Sequence, residues 1–224
     1  MLFKDDFKIC IVGLGYVGLP LAARFSLKGF SVIGFDINEE RINQLINQID
    51  INNDISSKNL EILTMNAKLS SKIKDIKDSN IYIITVPTPI NQDKTPDLAP
   101  LITSSEIVGS IMKKGSIVIY ESTVYPGVTD EICTPILEEN STLTFNKEFS
   151  TGYSPERIVP GDTINTIEKI KKVVSASNEE ALKIISFLYS SIIDAGIHEA
   201  SSIKVAEAAK VIENIQRDVN IALI

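Results

Sequence analysis

The chain has 224 residues, 44% of them hydrophobic, which is enough for one large domain or one and a half with a well-buried core. Its 22 basic and 29 acidic residues give a net charge of −7, which argues against nucleic acid or an anionic membrane as a partner. No apolar run approaches the length that crosses a bilayer, and the N-terminus does not resemble a signal peptide, so we expect a cytoplasmic protein. Two cysteines, Cys10 and Cys133, are too few for a disulfide framework and are expected to be reduced; we predict no metal site.

The first predicted unit is a strand, a glycine-rich turn, a helix and a second strand. An apolar run of β-forming residues over 8–12 predicts the first strand, and a helix is predicted over 19–28, with Gly29 as its C-terminal stop. The second apolar run, 31–35, ends at Asp36. Three glycines at the spacing G-x-G-x-x-G follow the first strand: Gly13, Gly15 and Gly18. A strand before this motif, a helix after it and an acid about 20 residues further on are the context that indicates a dinucleotide site.

Each glycine has a predicted physical role. Gly13 permits the tight turn, Gly15 lets the backbone approach a pyrophosphate, and Gly18 lets the helix pack closely on the strand. The N–H groups around the helix start, including those of Tyr16 and Val17, are expected to hold the pyrophosphate with the help of the helix dipole. We therefore predict that all five residues bind a dinucleotide cofactor.

Asp36 is expected to select the cofactor. A carboxylate at the tip of the second strand accepts hydrogen bonds from the adenosine ribose and repels a 2′-phosphate, which favours NAD over NADP. Arg41 leaves an alternative open, because a cation one turn away could serve a phosphate or stack beside the adenine. We predict NAD as the cofactor.

The remaining hydrophobic pattern alternates between strands and helices. Helices are predicted at 38–48, 60–65, 98–112, 128–137 and 178–189, and strands at 81–86, 117–120, 150–153, 172–175 and 196–199. In the first of these helices the inward face is predicted to contain Ile42, Leu45, Ile46 and Ile49. The alternation predicts an α/β fold, a Rossmann-like, doubly wound and mostly parallel sheet. We assign this NAD-binding domain to residues 1–200 and the start of a long connecting helix to 201–224.

Residues suited to ligand binding follow three of the predicted strands, where ligands bind in parallel sheets. They lie in the segments 13–15, 87–89 and 122–124, and the second and third contribute Thr88 and Thr123. Both threonines could instead be ordinary turn residues. A later turn-rich segment, 152–162, contains Glu156, and the single histidine, His198, is expected to be a surface or structural residue.

The last segment, 201–224, contains no glycine or proline and predicts one long helix. An apolar stripe on it consists of Ile212, Ile215, Val219 and Ala222. On another face lie Lys210, Asn214 and Arg217, and the first two are about 6 Å apart along the axis, close enough to hold one substrate oxygen. Periodicity alone favours a solvated polar face.

Taken together, these motifs resemble those of the nucleotide-sugar 6-dehydrogenases, the family of UDP-glucose and GDP-mannose dehydrogenase. The matching segments run in the family's order over nearly the whole chain: 13–20, 86–89, 121–124, 154–157 and 206–214. Residues 157–161 and 217–220 resemble the branch that oxidises UDP-N-acetylhexosamines. The resemblance implies oxidation of a sugar C6 alcohol to a carboxylate with two NAD, for polysaccharide synthesis, by a protein that is a homodimer when full length.

The resemblance also implies roles for individual residues. Glu156 would be a general base working through a water that Thr123 holds, and Lys210 and Asn214 would flank the C6 oxygen. Cofactor contacts are implied for Asp36, Arg41, Thr88 and Thr123. Contacts with the UDP-sugar are implied for Arg157, Ile158 and Arg217.

The chain departs from the family pattern in one respect. Family members use a cysteine nucleophile from a glycine-rich motif beyond the long helix, and neither Cys10 nor Cys133 lies in such a motif. We therefore expect a truncated piece that binds NAD and shows little or no turnover. Two alternatives remain open: a two-electron β-hydroxyacid dehydrogenase, and a non-catalytic NAD-binding module.

Overall fold

Eight strands form one sheet in the computed structural model, which describes residues 2–157 and 166–224. The sheet order is β3-β2-β1-β4-β5-β6-β7-β8, and every neighbouring pair is parallel except β6 and β7. The strands are β1 (Lys8–Val12), β2 (Ser31–Phe35), β3 (Lys68–Ser70), β4 (Ile81–Ile84), β5 (Ser116–Tyr120), β6 (Phe149–Tyr153), β7 (Lys172–Ala176) and β8 (Ile197–Glu199). The predicted Rossmann-like α/β fold is confirmed.

Helices cover both faces of this sheet. They are α1 (Gly18–Leu27), α2 (Glu39–Ile46), α3 (Ser57–Asn66), α4 (Ala99–Ile111), α5 (Thr134–Ser141), α6 (Glu179–Ile192) and α7 (Ile203–Ala222). The predicted helix over 128–137 is in fact a π-helical turn, Thr129–Cys133, followed by α5. None of the described helices is long and apolar enough to span a membrane.

The central strands are apolar on both sides because each side faces a separate core. Ile9 and Ile11 of β1 belong to one hydrophobic cluster, whereas Cys10 and Val12 belong to the other. Such strands appear in sequence as continuous apolar runs, which explains why they were predictable. Cys10 and Cys133 are both buried free thiols, as expected.

The crossing of the chain from one side of the sheet to the other creates the ligand crevice. Strand β1 pairs with β2 on one side and with β4 on the other, so the connections leave it in opposite directions. Ligands in doubly wound sheets bind at this reversal, outside the carboxyl ends of the strands.

Two predictions about local structure were wrong. Ile42 and Leu45 are buried, but Ile46 and Ile49 are each 53% exposed. Helix α2 ends at Ile46, and Gln48 adopts a left-handed backbone conformation, so Ile49 lies beyond the helix. The short strand β3 was missed because its three residues contain no apolar run.

The start of α7 is fixed to the sheet domain by a buried carboxylate. Glu207 accepts hydrogen bonds from the Gly127 N–H at 2.6 Å, the Thr129 N–H at 3.0 Å and the Thr129 hydroxyl at 2.7 Å. Ile203 and Ala206 are also buried, whereas the residues of the apolar stripe, such as Ile212 and Ile215, are exposed. The first turns of α7 therefore pack as part of the domain.

Candidate active site

A cleft of about 630 Å³ opens at the carboxyl edge of β1, β2, β4 and β5. All three strand-end segments predicted to bind a ligand contribute to it, through residues that include Gly13, Gly15, Thr88 and Thr123. Its other lining residues include Tyr16, Val17, Asp36, Glu121, Glu156 and Lys210. The structure thus brings residues separated by almost 200 positions in the sequence together in one cleft.

The glycine-rich turn has the backbone geometry that its sequence predicts. Gly13 has a φ of +95°, and its N–H donates to the Phe35 carbonyl at 2.8 Å. A Cβ on Gly18 would lie 1.9 Å from the Gly13 carbonyl oxygen, so only glycine allows α1 to approach β1 this closely. A Cβ on Gly15 would meet no atom within 4 Å, which leaves open space over this part of the turn.

Asp36 lies beside the turn at the tip of β2. Its carboxylate accepts the Leu14 N–H and the Asn38 N–H, each at 2.9 Å. These two backbone donors fix the carboxylate at the edge of the cleft, where it is able to accept further hydrogen bonds from a ribose.

Arg41 lies close to Asp36 in sequence, but its guanidinium contacts groups of the protein itself. Its Nε donates to the Leu14 carbonyl at 3.1 Å, and its terminal nitrogens pair with Asp50 at 2.8 Å and Asp54 at 3.0 Å. The side chain is only 10% exposed. Arg41 therefore stabilises the glycine-rich turn through its hydrogen bond to the Leu14 carbonyl. It is not among the lining residues of the main cleft.

Two side-chain hydrogen bonds join the ends of β4 and β5 below the cleft. The Thr88 hydroxyl donates to the Thr123 carbonyl at 2.7 Å, and the Ser122 hydroxyl donates to the Val86 carbonyl at 2.6 Å. Thr88 and Thr123 thus act as strand-end residues and also line the cleft.

A buried ion cluster forms one end of the cleft. Lys172, only 3% exposed, donates to Glu121 and to Glu156 at 2.7 Å each. The Tyr189 hydroxyl donates to the second oxygen of Glu121, and the Arg157 N–H donates to Glu156 at 2.6 Å. The carboxylate of Glu156 is therefore held in a defined position between backbone and ammonium donors.

The electrostatics of this cluster are set mainly by burial. Burial raises the pKa of Glu121 to about 7, the Lys172 ammonium opposes the shift, and the Glu156 charge adds to it. For Lys172, burial lowers the pKa but the charges of Glu121 and Glu156 outweigh it, so its pKa is above the usual value. Burial raises the pKa of the Tyr189 hydroxyl well above its ordinary value. Lys172 thus stays protonated, and the pKa of Glu121 lies near neutral pH.

Lys210 reaches the same end of the cleft from α7. Its ammonium donates to the Glu156 carbonyl at 2.6 Å, and burial lowers its pKa against the opposing charges of Glu156 and Glu213. Asn214, one turn further along, is half-buried and is not among the lining residues. The structure therefore brings Lys210 and Glu156 together at the cleft and leaves Asn214 beside it.

Both arginines implied in sugar-nucleotide binding pair with Glu213. The Arg157 guanidinium forms a bidentate contact at 2.9 and 2.8 Å, and Arg217 approaches the same carboxylate at 3.3 Å. Arg157 also donates to the Lys171 carbonyl at 3.2 Å. Ile158, the third residue implied in this role, lies outside the described residues.

Sequence reasoning missed Lys172 and the role of Glu121. Lys172 follows Lys169 and Lys171, so it resembles one more residue of a solvated basic run. Glu121 was part of a recognised motif but had no assigned partner. The only available signal was a carboxylate directly after an apolar strand, which requires a compensating charge nearby.

The glycine-rich turn, the position of Asp36 and the cleft at the strand reversal define a Rossmann-type dinucleotide-binding domain. The sequence model described as "UDP-glucose/GDP-mannose dehydrogenase family, NAD binding domain" matches residues 7–193. The chain belongs to this family, and its cofactor is NAD.

Known relatives agree with this assignment. The chain is 54% identical to the UDP-N-acetyl-D-glucosamine 6-dehydrogenase of Salmonella typhi over 220 residues, which cover 98% of this chain and 51% of that protein. It is 54% identical to Protein CapL of Staphylococcus aureus over 96% of this chain and 50% of that protein. The chain thus spans about half the length of the curated relatives it matches.

Solved structures show the same fold. The UDP-D-ManNAc dehydrogenase of Pyrococcus horikoshii superimposes with a TM-score of 0.89 at 34% identity, covering 96% of this chain and 52% of the other. GDP-mannose dehydrogenase of Pseudomonas aeruginosa superimposes with a TM-score of 0.86 at 23% identity, covering 96% and 51%. The second comparison supports the fold alone.

The residues of the cleft fit NAD. The open space at Gly15 leaves room for a pyrophosphate against the backbone, and Asp36 presents a carboxylate where a ribose would need an acceptor. Within residues 2–157 and 166–224 no cluster of three or more His, Cys, Asp or Glu residues is suited to hold a metal ion.

Proposed function

We propose that this chain is the cofactor-binding half of a cytoplasmic UDP-N-acetylhexosamine 6-dehydrogenase. The complete enzyme oxidises the C6 alcohol of the sugar to a carboxylate with two NAD, for polysaccharide synthesis. One observation carries the proposal: Lys210 and Glu156 meet on the wall of the NAD cleft, in a chain 54% identical to a UDP-N-acetyl-D-glucosamine 6-dehydrogenase.

The cofactor half of the site is made by the first βαβ unit. Gly13, Gly15 and Gly18, with the N–H groups of Tyr16 and Val17, hold the pyrophosphate, and Asp36 holds the adenosine ribose. Thr88 and Thr123 border the rest of the cofactor. NAD, when bound, supplies the acceptor for the hydride that leaves the alcohol carbon.

Glu156 takes the role of the general base. A hydroxyl that loses hydride from its carbon must also lose its proton, and Glu156 accepts that proton through a water held by Thr123. Lys172 stabilises the negative charge of Glu156 and fixes its position at 2.7 Å. The base is therefore oriented before any substrate arrives.

Lys210 stabilises the negative charge that develops on the C6 oxygen. An ammonium has three donors, so one can remain on the Glu156 carbonyl while another meets an oxygen in the cleft. One preorganised donor of this kind is typically worth about 3 kcal/mol of barrier. Asn214 supplies the second donor to the same oxygen, and Arg157, Ile158 and Arg217 contact the UDP-sugar.

The second oxidation requires a thiolate that this stretch does not offer. Burial raises the pKa of Cys10 far above its usual range and that of Cys133 to about 11, so both remain protonated. Neither cysteine lines the cleft. The proposal therefore assigns the nucleophile to a cysteine outside residues 1–224, in the part of the relatives that this chain does not cover. It also assigns a homodimer to the full-length protein.

Two measurements test this function. Isothermal titration calorimetry of the 224-residue chain should show NAD binding. The protein encoded by the natural gene should then form two NADH, followed at 340 nm, per UDP-N-acetylhexosamine consumed. UDP-glucose, GDP-mannose and a small β-hydroxyacid serve as comparison substrates. One NADH per turnover on the hydroxyacid, with no reaction on UDP-sugars, would establish the two-electron alternative, and NAD binding without turnover on any substrate would establish the non-catalytic one.

A further inference from the structure

Arg41 is held in an ion cluster by two aspartates. Its guanidinium pairs with Asp50 and Asp54, whose side chains are only 5% and 9% exposed. Asp50 is itself fixed by the Ile55 N–H at 3.1 Å, and Asp54 by the Asn52 amide at 3.3 Å. The arginine thus has one defined position, with its Nε–H on the Leu14 carbonyl.

This arginine borders a second, shallower pocket beside the NAD cleft. The pocket has a volume of about 390 Å³ and shares Leu14, Gly15 and Asp36 with the cleft. Arg41 and Glu40 also line it. A group attached to a ribose that Asp36 holds would meet this pocket and its charges.

The charges around this pocket determine which cofactor the site accepts. With Asp50 and Asp54 replaced by neutral residues, the Arg41 guanidinium would lose both ion-pair partners and would be available to a 2′-phosphate. With both aspartates present, the guanidinium pairs with Asp50 and Asp54, and Asp36 and Glu40 line the pocket that Arg41 borders. The net charge of this group is −3, so it repels a phosphate dianion.

We propose that Asp50 and Asp54 are specificity-determining residues, which make the site selective for NAD over NADP by neutralising Arg41. Asp36 then accounts for only part of the selectivity for NAD over NADP. The same two aspartates hold Arg41 on the Leu14 carbonyl, so selectivity and support of the glycine-rich turn depend on one ion cluster.

The test is the ratio of the dissociation constants for NADP and NAD, measured by calorimetry on the 224-residue chain. Asp54→Asn removes one negative charge and keeps the shape of the side chain. We expect the ratio to fall about tenfold, and the effect to shrink as salt is raised from 0.05 to 0.5 M. The matched control is Asp78→Asn, an exposed aspartate that precedes β4 at the opposite edge of the sheet, and its ratio should equal that of the unmodified chain.

A second variant tests the same idea without touching the aspartates. In Arg41→Gln the turn loses its support, so both cofactors should bind more weakly, and the ratio should rise about tenfold because the group of charges becomes more negative by one unit. A correctly folded Asp54→Asn chain with an unchanged ratio would overturn the proposal. An unchanged or lower ratio in Arg41→Gln would do so as well, because the charge of this group would then not be what excludes the phosphate. Both tests measure binding only, so they stand apart from the outcome of the turnover assay.

Discussion

Replacement of Lys172 by methionine removes the single cation that lies between two buried carboxylates. The ammonium is 2.7 Å from both Glu121 and Glu156, and the Glu121 side chain is fully buried. Breaking a buried ion pair by removing one partner typically costs 3–5 kcal/mol, since a charge is left without compensation. We expect Lys172→Met to lower the free energy of unfolding by about 3–5 kcal/mol at pH 8.5, out of roughly 5–15 kcal/mol for a domain.

The decrease in the free energy of unfolding caused by Lys172→Met should depend on pH, because Glu121 in the same cluster titrates. The pKa of Glu121 in the folded chain is about 7, above its ordinary value of 4.5, so the folded state binds more protons between these values. The free energy of unfolding therefore falls as pH rises through this window. Without Lys172 the pKa of Glu121 rises further, which extends the fall to higher pH. The raised pKa of Lys172 acts only above its ordinary value of 10.5, outside the assay range.

Urea unfolding followed by far-ultraviolet circular dichroism at pH 5.5 and 8.5 measures this difference. The loss in Lys172→Met should be clearly larger at pH 8.5, because at pH 5.5 a proton on Glu121 replaces part of the missing charge. Lys113→Met is the matched control: Lys113 pairs with Asp78 at the surface, with side chains 62% and 59% exposed, and such pairs contribute about 0–1 kcal/mol. A loss below about 1 kcal/mol in Lys172→Met at pH 8.5, or an equal loss at both pH values, would refute this reasoning.

Three further predictions concern the NAD site and the proposed chemistry. Asp36→Ala should weaken NAD binding about tenfold by calorimetry, since two ribose hydroxyls lose a charged acceptor; an unchanged affinity would remove the ribose contact. Gly18→Ala should abolish NAD binding and lower the melting temperature, because the new methyl group would lie 1.9 Å from the Gly13 carbonyl oxygen, whereas Gly29→Ala, which meets no atom within 4 Å, should leave NAD binding intact. In the natural full-length protein, Lys210→Ala should lower kcat about 100- to 1,000-fold with little change in NAD affinity, and equal losses in both would make Lys210 a structural residue.

The parts of the fold that were predictable are those encoded by local pattern. The strand before Gly13 and the acid at Asp36 each follow from a run of neighbouring residues whose physical requirements are independent of the rest of the chain. The strand and its flanking residues are determined by backbone conformation and by burial on both faces of the sheet. Both properties can be recognised within a short segment of sequence.

The features that were missed are ion pairs between residues that are not neighbours in sequence. Lys172 is buried because Glu121, 51 positions away, requires a cation, and no local pattern records that pairing. The ion pairs of Arg41 with Asp50 and Asp54 were also missed, because the loop that contains these aspartates has no periodic signal. The sequence thus identifies the charged residues but does not show which of them pair in the folded chain.

The buried carboxylate of Glu207 has a consequence for how the site is aligned. Its three hydrogen bonds to Gly127 and Thr129 fix the rotation of α7 about its own axis, and Lys210 emerges less than one turn later. The direction in which the Lys210 ammonium points is therefore decided outside the cleft, by a residue that is not among its lining residues. Glu207 thus fixes the rotational setting of α7 and keeps the Lys210 side chain directed at the cleft, whatever the exposed end of the helix does.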